Sequence, residues 1–556
     1  MHLIHRLCID YLRQPRVGAD LCVAAVGEGQ MSASVRQTRM MRRMLAVTTA
    51  LLVLGCSSVR FDVPHPPSHA IDRPEDTSLG RTFASRLSAT QGQSGFYLLV
   101  SGQEAFIDRA ALAASAERTL DLQYYIIAED ETATLLLYRV LNAAQRGVRV
   151  RLLIDDIYAG GRDFELAALA AHPNVEVRVF NPFPRRGPLG IFRLLDFFGD
   201  SSRLNRRMHN KLWIADNAVA VIGGRNLGDA YFSVRVESDF ADLDVLAAGP
   251  VVAEISRSFD EYWNSEWAVP IAAFSGEPPG AAQLNLVLSR MAARAERFHE
   301  TEYARTLRAT DFGRLLRGGL VPLVPAIATV LYDAPARSEA ATTNGLGIFP
   351  ILRTIVEAAR QEVILVSPYF IPSERGMGVL CGLAGRGVRV RVLTNSLAST
   401  DVPVVHAGYA RRRPRLLACG VELHELRPNA LPSGSARSGL SSGASLHVKA
   451  IMVDRKYVLV GSMNLDPRSR LSNTEVAVLL ESAVLGDQFG ELFEEATSLD
   501  QAFRVDLTEY GNPDAPLAWT GREDGKPVRY SGEPLASWWR RTSSGLLGAL
   551  APEELL

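Results

Sequence analysis

The chain has 556 residues, 47% of them hydrophobic and 22% charged, with a formal net charge of −1. That length exceeds what one hydrophobic core usually supports, so two or more domains are expected. The balanced charge gives no basic footprint for nucleic acid, and the five cysteines show no metal-ligand spacing, so no nucleic-acid partner, metal or other cofactor is expected.

In chain order, residues 1–39 lack periodicity and read as unstructured or as an overlong start. Met40-Met-Arg-Arg43 then precedes an apolar run, Met44 to Gly55, too short to span a bilayer and suited to a signal segment. The run ends Val53-Leu-Gly-Cys56, which resembles a bacterial lipobox, so residues 40–56 are predicted to be a lipoprotein-type signal segment with Cys56 as the lipid-attachment residue. Residues 57–85, rich in Pro, His, Ser and Asp, read as a tether. Strand–helix–strand grammar follows: a helix over 106–117, a strand over 120–127, a helix over 132–145 and a strand ending near Ile154. Asp155-Asp156 after that strand reads as a loop cap.

Arg146-Gly-Val-Arg-Val-Arg-Leu-Leu153 returns almost unchanged as Arg386-Gly-Val-Arg-Val-Arg-Val-Leu393, so one α/β unit is written twice. The expected units are residues 86–270 and 341–500, joined by a connector at 271–340 and followed by a tail at 501–556 that packs on the core or on a membrane. Pro322 and Pro325 break the apolar run 319–331, so it is no membrane span. Arginines among apolar residues in 183–198, and Trp519, Trp538, Trp539, Arg540 and Arg541 in the tail, suit either a lipid interface or packing between lobes. Cys381 and Cys419 lie in apolar contexts and read as buried thiols, with a disulfide left open for an exported protein.

The repeat carries chemistry. His209-Asn-Lys211, Asp216, Gly223-Gly224 and Asn226 reappear as His447-Val-Lys449, Asp454, Gly461-Ser462 and Asn464, an offset of 447 − 209 = 238 residues. Both copies read H-x-K-x4-D-x6-G-[GS]-x-N. His and Lys two apart on a strand share a face, and Asp with the residues after it signals a hairpin turn. Two such copies facing one another supply a nucleophile, a separate proton donor and several donors for an anionic oxygen cluster, which is the inventory of phosphoryl transfer.

These segments resemble the paired HKD motifs of the phospholipase D superfamily. With Asn181-Pro-Phe183, Arg207-Met-His-Asn-Lys211, the stretch from Gly223 to Phe232 and Asp242-Leu-Asp-Val-Leu246, the chain most resembles bacterial cardiolipin synthases of the periplasmic-facing type. The resemblance implies two tandem phospholipase D-like α/β sandwich domains related by a pseudo-two-fold axis, with one shared active site. It makes His209 the nucleophile and His447 the acid/base. Lys211, Lys449, Asn226, Asn464 and Ser462 become phosphate-binding candidates, a hydroxyl that Gly224 lacks. Asp216 and Asp454 enter the catalytic set with the motif, although each lies at a hairpin turn, where a structural role competes.

Asp242 and Glu475 are the candidates for orienting the imidazoles. Glu237 competes with Asp242, because 237 − 226 and 475 − 464 both equal 11, whereas strand alignment favours Asp242. The implied chemistry is cardiolipin synthesis by transfer of a phosphatidyl group to phosphatidylglycerol through a phosphohistidine, with phosphatidylglycerol or phosphatidylethanolamine as donor. A membrane surface is then a partner, and the expected location is the bacterial envelope, lipid-anchored and facing the periplasm. A hydrolase of the same fold is the first rival; a catalytically idle, tethered binding protein is the second, and intact His and Lys in both copies argue against it.

Overall fold

The computed structural model describes residues 57–544 apart from 91, 160–161, 187–195, 197–199, 235–239, 275–279, 311, 319, 337–346, 429–444 and 543. The expectations for residues 1–56, Cys56 among them, for Glu237 and for most of the 183–198 stretch lie outside the described residues.

Alternating apolar residues build the first half: β1 (Ser94–Leu99), α1 (Gly102–Ser115), β2 (Thr119–Tyr124), α2 (Glu131–Gln145), β3 (Arg149–Asp155), β4 (Val175–Phe180), the hairpin β5 (Leu212–Ala215) and β6 (Val219–Gly223), β7 (Asp244–Ala248), α3 (Val251–Trp263) and β8 (Ala268–Pro270). Three connector helices follow, α4 (Ala281–His299), α5 (Glu302–Ala309) and α6 (Phe312–Arg317). The second half repeats the order with β9 (Val324–Tyr332), α7 (Ile348–Glu357), β10 (Glu362–Val366), α8 (Glu374–Gly385), β11 (Arg389–Asn395), β12 (Glu422–Leu426), the hairpin β13 (Ala450–Val453) and β14 (Tyr457–Gly461), β15 (Val476–Glu481), α9 (Ala483–Ala496) and β16 (Ala502–Leu507). It then adds β17 (Leu517–Glu523) and β18 (Lys526–Tyr530) at the edge.

Strand pairing runs β8–β4–β3–β2–β5–β6–β7–β1 in the first half and β9–β15–β14–β13–β10–β11–β12–β16 in the second. β9 welds the two. Its first residues, Val324–Ala326, pair with Phe96–Ser94 of β1, and Ile327–Tyr332 pair with β15. The apolar run expected inside the connector is therefore the opening strand of the second half. Its prolines fall at the start, where the strand changes partners and Pro325 needs to donate no ladder bond.

Three cores follow from the alternation. Leu120, Leu122 and Tyr124 point outward under α1 and α2, and Val363 and Leu365 point outward in the second half. The inner faces share one layer in which Phe96, Ile214 and Ile222 of the first half join Ile364, Val366 and Val460 of the second, closed by Phe259 of α3 and Phe489 of α9. A common buried layer holds the halves in one register, which the site requires.

Two expectations are corrected here. Residues 57–71 form a strap rather than a free tether: Ser57 and Ser58 pair with Arg186 and Arg185, Ser68 and Ala70 donate their N–H groups to Asn264 and Asp260, and Asn217 donates to the Ile71 carbonyl. Side-chain acceptors on α3 take up backbone donors that a proline-rich segment cannot satisfy itself. Cys381 and Cys419 are joined in a disulfide, Cα to Cα 5.3 Å, which ties α8 to the end of the helix Arg413–Ala418. Both residues are only half buried, so they were not sealed off as inert thiols.

Candidate active site

Each hairpin turns through two residues with positive φ, Asp216 and Asn217 at 53° and 49°, Asp454 and Arg455 at 52° and 50°, the type I′ geometry that suits strand twist. The turn aspartates face away from the histidines. Asp216 accepts the N–H groups of Glu117, Arg118 and Thr119 at 2.8–2.9 Å, and Asp454 accepts those of Arg360, Gln361 and Glu362. Their place in the catalytic set is corrected: they bolt the hairpin to the start of β2 or β10, satisfying amides that the ladder leaves open.

At the other end of the hairpins the halves cross. His209 donates its backbone N–H to the carbonyl of Thr474 at 2.9 Å, and His447 donates to Ala241 at 2.7 Å. Those carbonyls precede the two acids, so each acid is delivered to the histidine of the opposite half. His209 Nδ1 lies 2.9 Å from Glu475 Oε2, and His447 Nδ1 lies 2.6 Å from Asp242 Oδ2. The register Gly223↔Asp244 and Gly461↔Ala477 makes Asp242 and Glu475 equivalent, two residues before each pairing. A proton held between Nδ1 and a carboxylate leaves the Nε2 lone pair of each imidazole for chemistry.

The acids are seated differently. Ser462 donates its hydroxyl proton to Glu475 Oε2, and Ser469 donates to Oε1 at 2.8 Å. Ser462 therefore has no proton for a phosphate oxygen, and its assignment as phosphate-binding is corrected: it holds the acid. In the first half Asp242, one carbon shorter, comes so close that a Cβ on Gly224 would stand 2.2 Å from its Oδ1. Gly224 with Asp242 and Ser462 with Glu475 are thus two solutions to one spacing.

Lys211 and Lys449 each donate to the backbone carbonyl of their own histidine. Lys449 Nζ also lies 2.9 Å from His447 Nδ1, a close approach rather than a hydrogen bond while Nδ1 gives its proton to Asp242. Burial brings the lysines down against the pull of Glu475 and Asp242, Lys211, which also feels Lys449, to about 7 and Lys449 to about 8. Burial likewise pushes His209 to about 4 and His447 to about 3, against the pull of the carboxylates. Both imidazoles are neutral near pH 7. Asn226 accepts from the Ile126 N–H and donates to the Tyr231 hydroxyl, which leaves one amide hydrogen for an anion. Asn464 is buried, with no partner for Oδ1 among the described residues.

Several residues were missed by sequence reasoning. Asp155 accepts the N–H of Met208 at 2.8 Å and Asn395 that of Leu446 at 2.9 Å, so each fixes the residue before a histidine. The signal was present: they end the duplicated strand at the same offset, 395 − 155 = 240. Tyr125 stacks edge-on against His209 at 4.9 Å, and Tyr231 and Phe240 flank His447 at 5.3 and 5.2 Å.

This architecture has known counterparts. A family model described as cardiolipin synthase, PLD-like domain, matches residues 110–263 and 351–497. Cardiolipin synthase C of Escherichia coli is 39% identical over 84% of this chain and 97% of its own length. Cardiolipin synthase A of Pseudomonas entomophila is 25% identical over 73% of this chain and 69% of its own. The crystal structure of phosphatidylserine synthase from Haemophilus influenzae aligns with a TM-score of 0.52 at 13% identity, covering 86% of this chain and all of that one, a likeness of fold. With the family model spanning both copies of the α/β unit, the chain belongs to the cardiolipin synthase PLD-like domain family.

Proposed function

We propose that the protein is a phosphatidyltransferase that makes cardiolipin, with phosphatidylglycerol as the accepting alcohol. The observation that carries this reading is the crossed pair of histidine–carboxylate bonds with two low-pKa lysines beside them. His209 Nε2 attacks the phosphorus of the donor lipid, forming a P–N bond as the P–O bond to the head-group alcohol breaks. The negative phosphodiester raises the basicity of the imidazoles it approaches, so His447 binds a proton and passes it to the departing oxygen. The glycerol hydroxyl of phosphatidylglycerol then gives its proton to His447, attacks phosphorus and breaks the P–N bond. Lys211, Lys449 and Asn226 hold the non-bridging oxygens. Either phosphatidylglycerol or phosphatidylethanolamine fits as donor, because the departing alcohol need only accept one proton.

The reading extends to place. Cys56 would carry the lipid anchor, as the residue that ends the apolar run 44–55. The Cys381–Cys419 disulfide favours an oxidising compartment, here the periplasm. Trp538 and Trp539, 66% and 74% exposed and in edge contact, suit the head-group layer of a membrane. The test is mass spectrometry of lipids after incubating the purified protein with phosphatidylglycerol vesicles, with and without phosphatidylethanolamine. Cardiolipin with release of glycerol or ethanolamine is expected; phosphatidic acid alone would make the protein a hydrolase and overturn the reading.

A further inference from the structure

The two halves differ where their outer helices meet. In the first, α4 packs on α2 and α6 on α1, and the seam is filled by rings: Phe106 of α1 lies 6.1 Å from Phe298 of α4 and 6.3 Å from Tyr303 of α5. In the second, the chain after β16 goes into β17 and β18 at the sheet edge, and no described residue from β16 onward lines the seam. The equivalent seam between α7 and α8 is an open groove of about 640 Å³. Leu365 and Ile451 form its floor, Leu352 and Val356 one wall, Val379 and Leu380 the other. That volume falls within the usual range for a bound small molecule, roughly 300–1,000 Å³.

One end of the groove begins at the chain segment that leaves the second motif. Leu465 and Asp466 line it and directly follow Asn464. Asp466 caps the helix Pro467–Leu471, which sends Ser469 to Glu475 on one side and Arg470 to the groove on the other. Arg375 joins Arg470 at this end, and neither side chain has an ion-pair partner among the described residues. Glu374 at this end is paired with Arg415 and Arg353 on the α7 wall with Glu357, and Asp466 is turned to the amide of Ser469, so the unpaired charge of the groove is that of Arg375 and Arg470.

We propose that this groove holds one acyl chain of the phospholipid whose phosphodiester lies between His209 and His447, a proposal that rests on the phosphatidyltransferase reading. Charge polarity fixes the direction: the ester oxygens sit by Arg375 and Arg470, the phosphate stays with Lys211 and Lys449, and the methyl end runs toward Val356. A lipid so seated has its phosphorus positioned by its tail, and long-chain substrates gain over short ones.

The test fills the groove with Leu352→Trp and, separately, Val379→Trp, neither of which touches the catalytic machinery. Rates are measured on long-chain phosphatidylglycerol vesicles, on dihexanoyl phosphatidylglycerol and on bis-p-nitrophenyl phosphate. A fall of tenfold or more in kcat/KM on the long-chain lipid is expected, with the soluble diester unchanged, which also reports an intact fold. Phosphatidylglycerol carrying a diazirine in its acyl chain should label wild-type peptides within 348–380. Wild-type turnover of long-chain lipid with both variants equal to it and no label in those peptides would overturn the groove, and would mean that protein, from this chain or a second copy, covers it. A wild type inert toward every phospholipid would instead overturn the functional reading on which the groove depends.

Discussion

His209 and Glu475 lie 266 residues apart and meet only because the halves exchange carboxylates. Glu475→Gln should therefore leave the melting temperature near wild type and lower kcat by about 10²–10⁴, because an amide favours the wrong tautomer. Asp216→Ala should do the reverse, costing about 2–4 kcal/mol of stability by orphaning three amides while the folded fraction keeps its rate. Urea unfolding with kcat on a soluble phosphodiester separates the two. Gly224→Ala, which drives a methyl into Asp242, should behave like Glu475→Gln. With a p-nitrophenyl phosphodiester, His447→Ala should accumulate protein-bound phosphate on His209, since a good leaving group departs unprotonated; label on His209→Ala alone would exchange the two roles. The pH profile follows from the lysines. Each binds an anion only as ammonium, so affinity for dimethyl phosphate, whose own charge is constant, should weaken as pH rises through about 7 to 8. kcat/KM should hold in acid down to the region of about 4, where His209 of the free protein gains its proton. The sequence named both histidines and both acids, because a period-two strand fixes side-chain direction locally. It did not reveal which half each acid serves, or that Ser462 spends its proton on Glu475, because those are contacts across the interface with no local spacing to betray them.

The hairpins are the most legible elements, since alternation and an Asp at the turn are short-range signals. β9 was not legible: a strand that changes partners midway carries prolines, and in isolation prolines argue against a central strand. The α8 linkage was left open because two cysteines reveal nothing about distance until the helices are placed. Closing a loop of 38 residues, it should contribute about 3–4 kcal/mol. Cys381→Ser with Cys419→Ser should lower the melting temperature in oxidising buffer, and reductant should lower the wild type to the same value. Equal melting of wild type and variant in both buffers would show that the helices need no bridge.

For the whole molecule, the duplicated strand and motif made the two-unit plan readable, and the shared layer between the inner faces explains why the units stay in one register. The connector helices and the strap were unreadable, because each is defined by what it covers. If the body rests on a bilayer through the tail, Trp538→Ala with Trp539→Ala should weaken sedimentation with phosphatidylglycerol vesicles by about tenfold, on the scale of one to two kcal/mol for amphipathic rings at an interface. Arg540 keeps the segment placed by donating to the carbonyls of Leu397, Ala398 and Thr400, so the loss should come without unfolding.

The exchange of carboxylates also sets a timetable. A ribosome delivers His209 long before Glu475, and until the last central strand has docked, that histidine has no acid to hold its proton or aim its ring. A half-made chain carries the motif yet lacks the machine. Reactivity arrives with the final fold.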